Sequence, residues 1–348
     1  MNTSTFQIVA PDLYVPPEAE LERQIRAFML RMRQNLDPSA DELDYRQKLR
    51  AKELAGRVRK RRLDESGLAA LKEEQRAAIT DLARRGARIV GPDTPHQVDE
   101  WAAEVHGRTP WMGDLTALLM RCMRSRICDG QPGLSIPPLL IVGEPGNGKS
   151  WYAHMIAELV GAPFREIDVG AGSAAFRISG LEKGWSSASA GIPVETVLQY
   201  RIANPVLIVN EICKSPHSIG STNGSVSSLT TALLQMLEIE TASRFECPAW
   251  RVRFDFSRLN WILTANDIDR VAAPLRDRCT VFRMPTVTDE IAAMMFDTLS
   301  RDFPMIDPEA LGLARTAVLD AAERGHVSLR QIRRILLMLA AEPPQTCH

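Results

Sequence analysis

The 348-residue sequence has little of several things that would otherwise set its class. Net charge is almost absent, with 42 Lys and Arg against 43 Asp and Glu, a formal balance of −1. Such a balance gives no global attraction to nucleic acid or to an anionic membrane. Apolar runs are short, none spans a bilayer, and the opening Met1-Asn-Thr-Ser-Thr5 lacks the basic stretch and apolar core of a secretion signal. The expectation is a cytoplasmic protein without membrane contact. The six cysteines (122, 128, 213, 247, 279 and 347) form no C-x-x-C pair, and the histidines stand apart from them. Redox or cysteine-metal chemistry is therefore not expected, and the thiols should be reduced. What remains, 45% hydrophobic and 24% charged, is ordinary for a globular chain long enough to hold more than one folding unit.

Against this plain background one stretch stands out. Leu139 to Val142 reads as a short buried strand, and an apolar pattern at Trp151, Ile156 and Leu159 reads as a helix. Between them lie Gly143, Glu144, Pro145, Gly146, Asn147, Gly148, Lys149 and Ser150, the spacing G-x-x-x-x-G-K-S. A phosphate chain needs this arrangement. The glycines let backbone N–H groups turn inward, and the helix N-terminus adds partial positive charge. Lys149 would reach the β- and γ-phosphates of ATP, and the Ser150 hydroxyl would ligate Mg²⁺.

The rest of the chain falls into place around this motif. Prolines 11, 16 and 17 mark an extended lead-in, after which Leu21, Ile25, Phe28, Met32 and Leu36 recur at helical spacing. Asp37-Pro38-Ser39 stops that helix, and Ser39 or Asp41 would cap a second one. A third is expected from about Glu65 to Arg85, with Leu68, Leu71, Ile79 and Leu82 on one side. The basic run Arg57 to Arg62 has no interleaved aromatics and is diluted by nearby acids, so it reads as a solvated helix face and not as a nucleic-acid site. Gly91-Pro92-Asp93-Thr94-Pro95 reads as a linker. Beyond it, strands at Leu139, Phe164, Val206 and Asn260 alternate with helices, the mark of a parallel α/β sheet with its ligand at the C-terminal strand ends.

Polar residues close several of these strands. Val206-Leu-Ile-Val209 ends in Asn210-Glu211. Phosphate-loop enzymes place a Mg²⁺-holding acid here, often followed by a glutamate that polarises the attacking water. Asn210 occupies the metal side without a charge, while Glu211 is present as the catalytic carboxylate. Losing a charged hydrogen bond at such a point costs roughly 1–2 kcal/mol, or up to about tenfold in rate. Asn266 closes the strand from Asn260 and would face the γ-phosphate. Arg276 and Arg278 follow, either of which could reach a neighbouring subunit's nucleotide. Arg330 stands in the first turn of a helix that Ser328 would cap, a place where cations are disfavoured unless an anion is near.

These pieces, in this order, resemble the AAA+ ATPases and, within them, the ATPase module of Lon protease. The resemblance runs from about Val98 to Leu339. Its more specific parts are Asn204 to Lys214, Thr231 to Glu238, and the segments around Asn266 and Arg278. It implies that Asn266 is the first sensor, Arg278 the arginine finger (with Arg276 as the alternative), and Arg330 the second sensor on a helical lid. Asn210 departs from the family's aspartate. Ala188 stands where Lon proteases carry a pore aromatic, which leaves Trp185 as the nearest substitute. The segment from Ser215 to Leu229, rich in serine and glycine, reads as a surface loop that either faces a pore or has no role. The chain ends at His348 just after the lid, so the expectation is a Lon-type motor without the C-terminal peptidase.

The expected architecture is thus a helical partner-binding region over residues 1–95, an AAA+ α/β nucleotide domain over 96–285, and a C-terminal helical lid over 286–348. The expected activity is ATP hydrolysis with Mg²⁺ in a homo-oligomeric ring, a hexamer by resemblance, acting on a protein substrate. The competing readings are a slow ATP-gated scaffold and, from the basic run alone, a DNA-acting motor.

Overall fold

The computed structural model describes residues 4–169, 174–182, 189–214, 229–325 and 327–341. Trp185, Ala188 and residues 215–228 of the expected loop lie outside them, while its last residue, Leu229, opens a helix.

The N-terminal part comprises β1 (Thr5–Phe6), α1 (Glu18–Leu36), α2 (Tyr45–Glu65), α3 (Glu73–Arg85) and β2 (Ala87–Arg88). Helix α2 starts later than Ser39 or Asp41 would set it. Its cap is Asp44, whose Oδ1 accepts the Gln47 N–H at 2.8 Å while Gln47 Oε1 accepts the Asp44 N–H at 3.0 Å. This reciprocal pair satisfies two donors that a helix start leaves open. The helix expected from Glu65 is also broken. Gly67 takes φ +73°, a short 3₁₀ turn buries Leu68, and α3 begins only at Glu73, so Leu68 and Leu71 precede it. Arg76 ties this turn down by donating to the carbonyls of Leu68 and Leu71 at 3.2 and 2.9 Å.

Next come α4 (Pro95–Arg108), α5 (Gly113–Cys128), β3 (Leu139–Val142), α6 (Lys149–Glu158), β4 (Phe164–Asp168), α7 (Ala174–Ser179) and α8 (Ile192–Tyr200). They are followed by β5 (Val206–Asn210), α9 (Leu229–Leu237), α10 (Ile239–Ala242), the ribbon β6 (Phe245–Glu246) and β7 (Arg253–Phe254), then β8 (Asn260–Ala265), α11 (Ala273–Arg278) and β9 (Thr280–Arg283). Three helices close the chain: α12 (Asp289–Leu299), α13 (Pro308–Glu323) and α14 (Leu329–Ala341).

The central sheet has the order β4-β5-β8-β3-β9 with every pairing parallel. This is the α/β architecture expected, flanked by helices. Strands β3 and β8 are buried along their whole length, as a parallel sheet covered on both faces requires. Side chains alternate between the two faces. Leu140, Val142, Leu207, Val209 and Leu263 join one core cluster, and Leu139, Ile141, Val206, Ile208 and Ile262 join the other.

The N-terminal region joins the first cluster through Ile8, Leu68, Ile79 and Leu82, so it packs onto the core of the sheet. The supposed linker is docked as well. Leu134 N–H donates to Val90 O at 2.8 Å and Gly133 N–H to Pro92 O at 2.7 Å. Two buried asparagines fasten these segments. Asn204 accepts the Val90 N–H at 3.0 Å and donates to Val90 O and Leu134 O at 2.8 and 3.0 Å. Asn260 accepts the Ile136 N–H at 2.9 Å and donates to Asn204 O at 3.0 Å. Each satisfies backbone groups that have no water to turn to.

Among the described residues no helix is long and apolar enough to cross a membrane, and no group of three His, Cys, Asp or Glu could hold a metal ion. The five described cysteines are free thiols.

Asn204→Ala would leave the Val90 N–H without its acceptor, while Val90 O keeps Leu134 N–H and Leu134 O keeps Asn260 as donors, and an unsatisfied group of this kind costs about 1–3 kcal/mol. Urea denaturation should show a stability loss of about 1–3 kcal/mol. Arg61→Ala, which removes only an exposed pair with Glu65, should leave the midpoint where it was.

Candidate nucleotide site

The loop between β3 and α6 turns through two residues that only glycine adopts without strain, Gly146 at φ +87° and Gly148 at φ +91°. Close packing adds a second demand. A Cβ on Gly148 would lie 2.6 Å from Leu329 Cδ2 of the lid helix α14. The same helix is tied to the loop by its backbone, Arg330 N–H donating to Gly146 O at 3.1 Å. Ser328 caps α14, accepting the Gln331 N–H at 3.4 Å. Loop and lid together wall a cavity of about 830 Å³ at the C-terminal end of the sheet.

Lys149 opens α6 and is 8% exposed. Its ammonium donates to Gly143 O at 2.6 Å, Glu144 O at 2.9 Å and Asn266 Oδ1 at 2.9 Å. Burial pulls its pKa below the usual lysine range, and Arg330 pulls the same way. Glu211 and Glu144 oppose this. The three oxygens saturate the donors of a cation that is otherwise poorly placed.

Next to it, Ser150 Oγ donates to Asn210 Oδ1 at 2.7 Å, and Thr264 Oγ1 reaches the same oxygen at 3.4 Å. Glu211 follows at φ +57°, an uncommon conformation for a side chain of this kind. Its N–H donates to Thr264 Oγ1 at 3.1 Å, which fixes the residue against β8. Its carboxylate is engaged by Lys214 Nζ at 2.7 Å. Asn266, just past β8, anchors its own N–H on Cys213 Sγ at 3.4 Å.

The cavity therefore gathers Lys149, Ser150, Asn210, Glu211, Asn266 and Arg330. It does not include Arg278 or Arg276. Arg278 pairs with Glu238 at the end of α9, and Arg276 lies 3.9 Å from Asp269. Within the loop, Asn147 is buried and its Oδ1 has no partner.

Several lining residues were not singled out from the sequence. Glu166 and Asp168 arrive from β4, Thr264 from inside β8, and Arg333 and Arg334 from the lid one turn past Arg330. Only Asp168 carried a usable signal, an acid closing a strand beside the one that ends in Asn210.

Residues 139–285 match the family model described as ATPase family associated with various cellular activities (AAA). Lon protease 4 of Sorangium cellulosum is 28% identical over 340 residues, covering 86% of this chain and 40% of that protein. The Lon protease of Magnetococcus marinus is 35% identical over 156 residues, 44% of this chain and 18% of that protein. The chain thus spans well under half the length of these relatives. A cryo-EM reconstruction of Hsp104 in a closed state superposes with a TM-score of 0.54 at 13% identity, over 92% of this chain and 57% of that one, a likeness of fold. The chain contains an AAA-family ATPase domain and is homologous to Lon proteases over that ATPase region.

Proposed function

We propose that this chain is a Mg²⁺-dependent ATP hydrolase that works as a homo-oligomeric ring, a hexamer by family resemblance, and remodels a protein partner. The observation that carries the reading is the convergence in one cavity of a glycine-turned loop, Lys149 with three arginines, and the Ser150–Asn210 pair. The donor set fits the ligands. Lys149, Arg330 and the loop N–H groups supply positive charge for a triphosphate, and Ser150 and Asn210 offer neutral oxygens suited to a hard cation. Ser150 and Asn210 would hold Mg²⁺, which would supply neutralisation of the charge that develops on the phosphates.

The chain's own groups do the rest. Lys149 trades its carbonyl partners for phosphate oxygens, Asn266 and Arg330 flank the γ-phosphate, and Glu211 orients and deprotonates the attacking water. Arg278, absent from its own subunit's cavity, serves the neighbour's site. In this reading residues 1–95 choose the partner, 96–285 hold the nucleotide and 286–348 form the lid. The exposed Phe28, Met32, Leu36 and Tyr45 on α1 and α2 support a contact role for the first of these.

A second reading, a slow ATP-gated scaffold, draws support from two features: the uncharged Asn210, and a Glu211 carboxylate already held by Lys214. Steady-state ATPase measurement with Mg²⁺ across protein concentrations separates the two. Turnover that rises with assembly favours the motor, and tight binding with negligible turnover favours the scaffold.

Lys149→Ala should abolish ATP binding in calorimetry, and unchanged affinity would sink the phosphate-loop assignment. Glu211→Gln should keep ATP bound but unhydrolysed, whereas wild-type turnover would remove Glu211 from the water-polarising role. Asn210→Asp should raise turnover or Mg²⁺ affinity by up to about tenfold.

Arg278→Ala should cut turnover by at least ~10³ with nearly unchanged ATP affinity. Mixing it with Lys149→Ala should restore part of the activity, because intact sites then meet intact fingers. Glu238→Gln is the control. If Arg278 serves only its ion pair with Glu238, this variant and Arg278→Ala will behave alike and mixing will restore nothing.

A further inference from the structure

At the end of the sheet opposite the phosphate loop lies a second cleft, of about 680 Å³, that shares no residue with the nucleotide cavity. The Gly130–Pro132 loop ahead of β3, the Ser257-Arg258 turn ahead of β8, the last turn of α5 and the N-terminal residues Ser4 to Phe6 build it. Two guanidinium groups line it, Arg126 from α5 and Arg258.

Arg258 is 9% exposed. Its Nη1 donates to Gln131 Oε1 at 3.1 Å and its Nη2 to Pro132 O, while its Nε is buried without a partner. Arg126 is partly buried, and neither arginine forms an ion pair within 4.0 Å among the described residues. The nearby acids do not fill that place. Asp255 acts on Arg258 from a distance but accepts the Ser257 N–H on its Oδ1 at 3.0 Å, and Asp129 lines the cleft without pairing to either guanidinium. Burial and the charge of Arg126 both press the Arg258 pKa below the ordinary arginine range, with Asp255 opposing. Guanidinium stays protonated under such pressure, so both groups remain cations. Two like charges in one cleft, one of them nine-tenths buried, are unfavourable until a counter-charge arrives.

We propose that this cleft is an oxyanion-binding site in which a phosphate or carboxylate group sits between Arg126 and Arg258. The planar forks of two arginines match the oxygens of either group, and Thr5 and Ser257 add hydroxyls to the lining. The site is independent of the nucleotide. Its occupant bridges the N-terminal segment, α5 and the turns that start β3 and β8, so binding stabilises the joint between the N-terminal region and the sheet.

The test uses the full chain and two probes, inorganic phosphate and succinate, titrated at constant ionic strength with calorimetry and the thermal midpoint as readouts. Lys149→Ala is included because the phosphate loop also attracts phosphate. Wild type and Lys149→Ala should both show saturable binding with a rising midpoint. Arg126→Gln, a change at a partly exposed position, should weaken it by at least about tenfold. Arg258→Lys keeps the buried charge while removing the fork and should weaken it too, without the risk of misfolding that a neutral residue brings. Saturation by phosphate alone marks a phosphate-bearing ligand, and saturation by succinate marks a carboxylate. A response matched by sodium chloride, equal binding in Arg126→Gln, or binding lost in Lys149→Ala but kept in Arg126→Gln would each overturn the proposal.

Discussion

A single buried ammonium organises the site. Lys149 is 8% exposed, and its three donors are all taken by oxygens, two from the loop it closes and one from Asn266. The loop carbonyls are local, 5 and 6 residues away, whereas Asn266 is 117 residues distant. That long-range contact exists only because β8 lies directly beside β3, so that Val142 pairs with Ala265. The same neighbour relation on the other side of β8 carries Asn210 and Glu211 to Thr264. A different strand order would leave a buried cation without its side-chain acceptor, at a cost of several kcal/mol.

The lid meets this arrangement from outside the sheet. Its apolar face, Leu329, Ile332 and Leu336, joins the core cluster that includes α4, α5 and α6. Its first turn rests on the glycines of the loop. The cations Arg330, Arg333 and Arg334 are consequently held over the cavity by an apolar anchor that needs no nucleotide. Preorganised charge of this kind requires little reorganisation when an anion enters.

How far the residues alone reveal the molecule depends on how local each signal is. The strand–loop–helix at Leu139 to Leu159 is written in consecutive residues, and the parallel sheet follows from the apolar runs at Val206 and Asn260. Asn266 was picked out from its position closing a strand after two nucleotide motifs, whereas its contact with Lys149 emerged only from the structure. Thr264, buried inside β8, carries no such mark, and Arg333 and Arg334 look like the polar face of an amphipathic helix. Gly91 to Pro95 has the composition of a linker, and nothing in that composition shows that the neighbouring backbone is hydrogen-bonded to the sheet's N-terminal end. What docks the neighbouring strand segment is Asn204, a contact spanning 114 residues that no spacing announces. The late start of α3 turned on one left-handed glycine, Gly67, inside an otherwise continuous helical pattern.

The contact between Arg330 N–H and Gly146 O has a mechanical side. It pins one end of a helix of 13 residues, whose far end lies about 20 Å away at 1.5 Å per residue. A tilt of about 10° at the pinned end sweeps the other end through about 3 Å. The glycine loop is thus placed as the fulcrum of a lever, and a change in backbone position too small to disturb a hydrogen bond would emerge at Ala341 magnified into a displacement the size of a side chain.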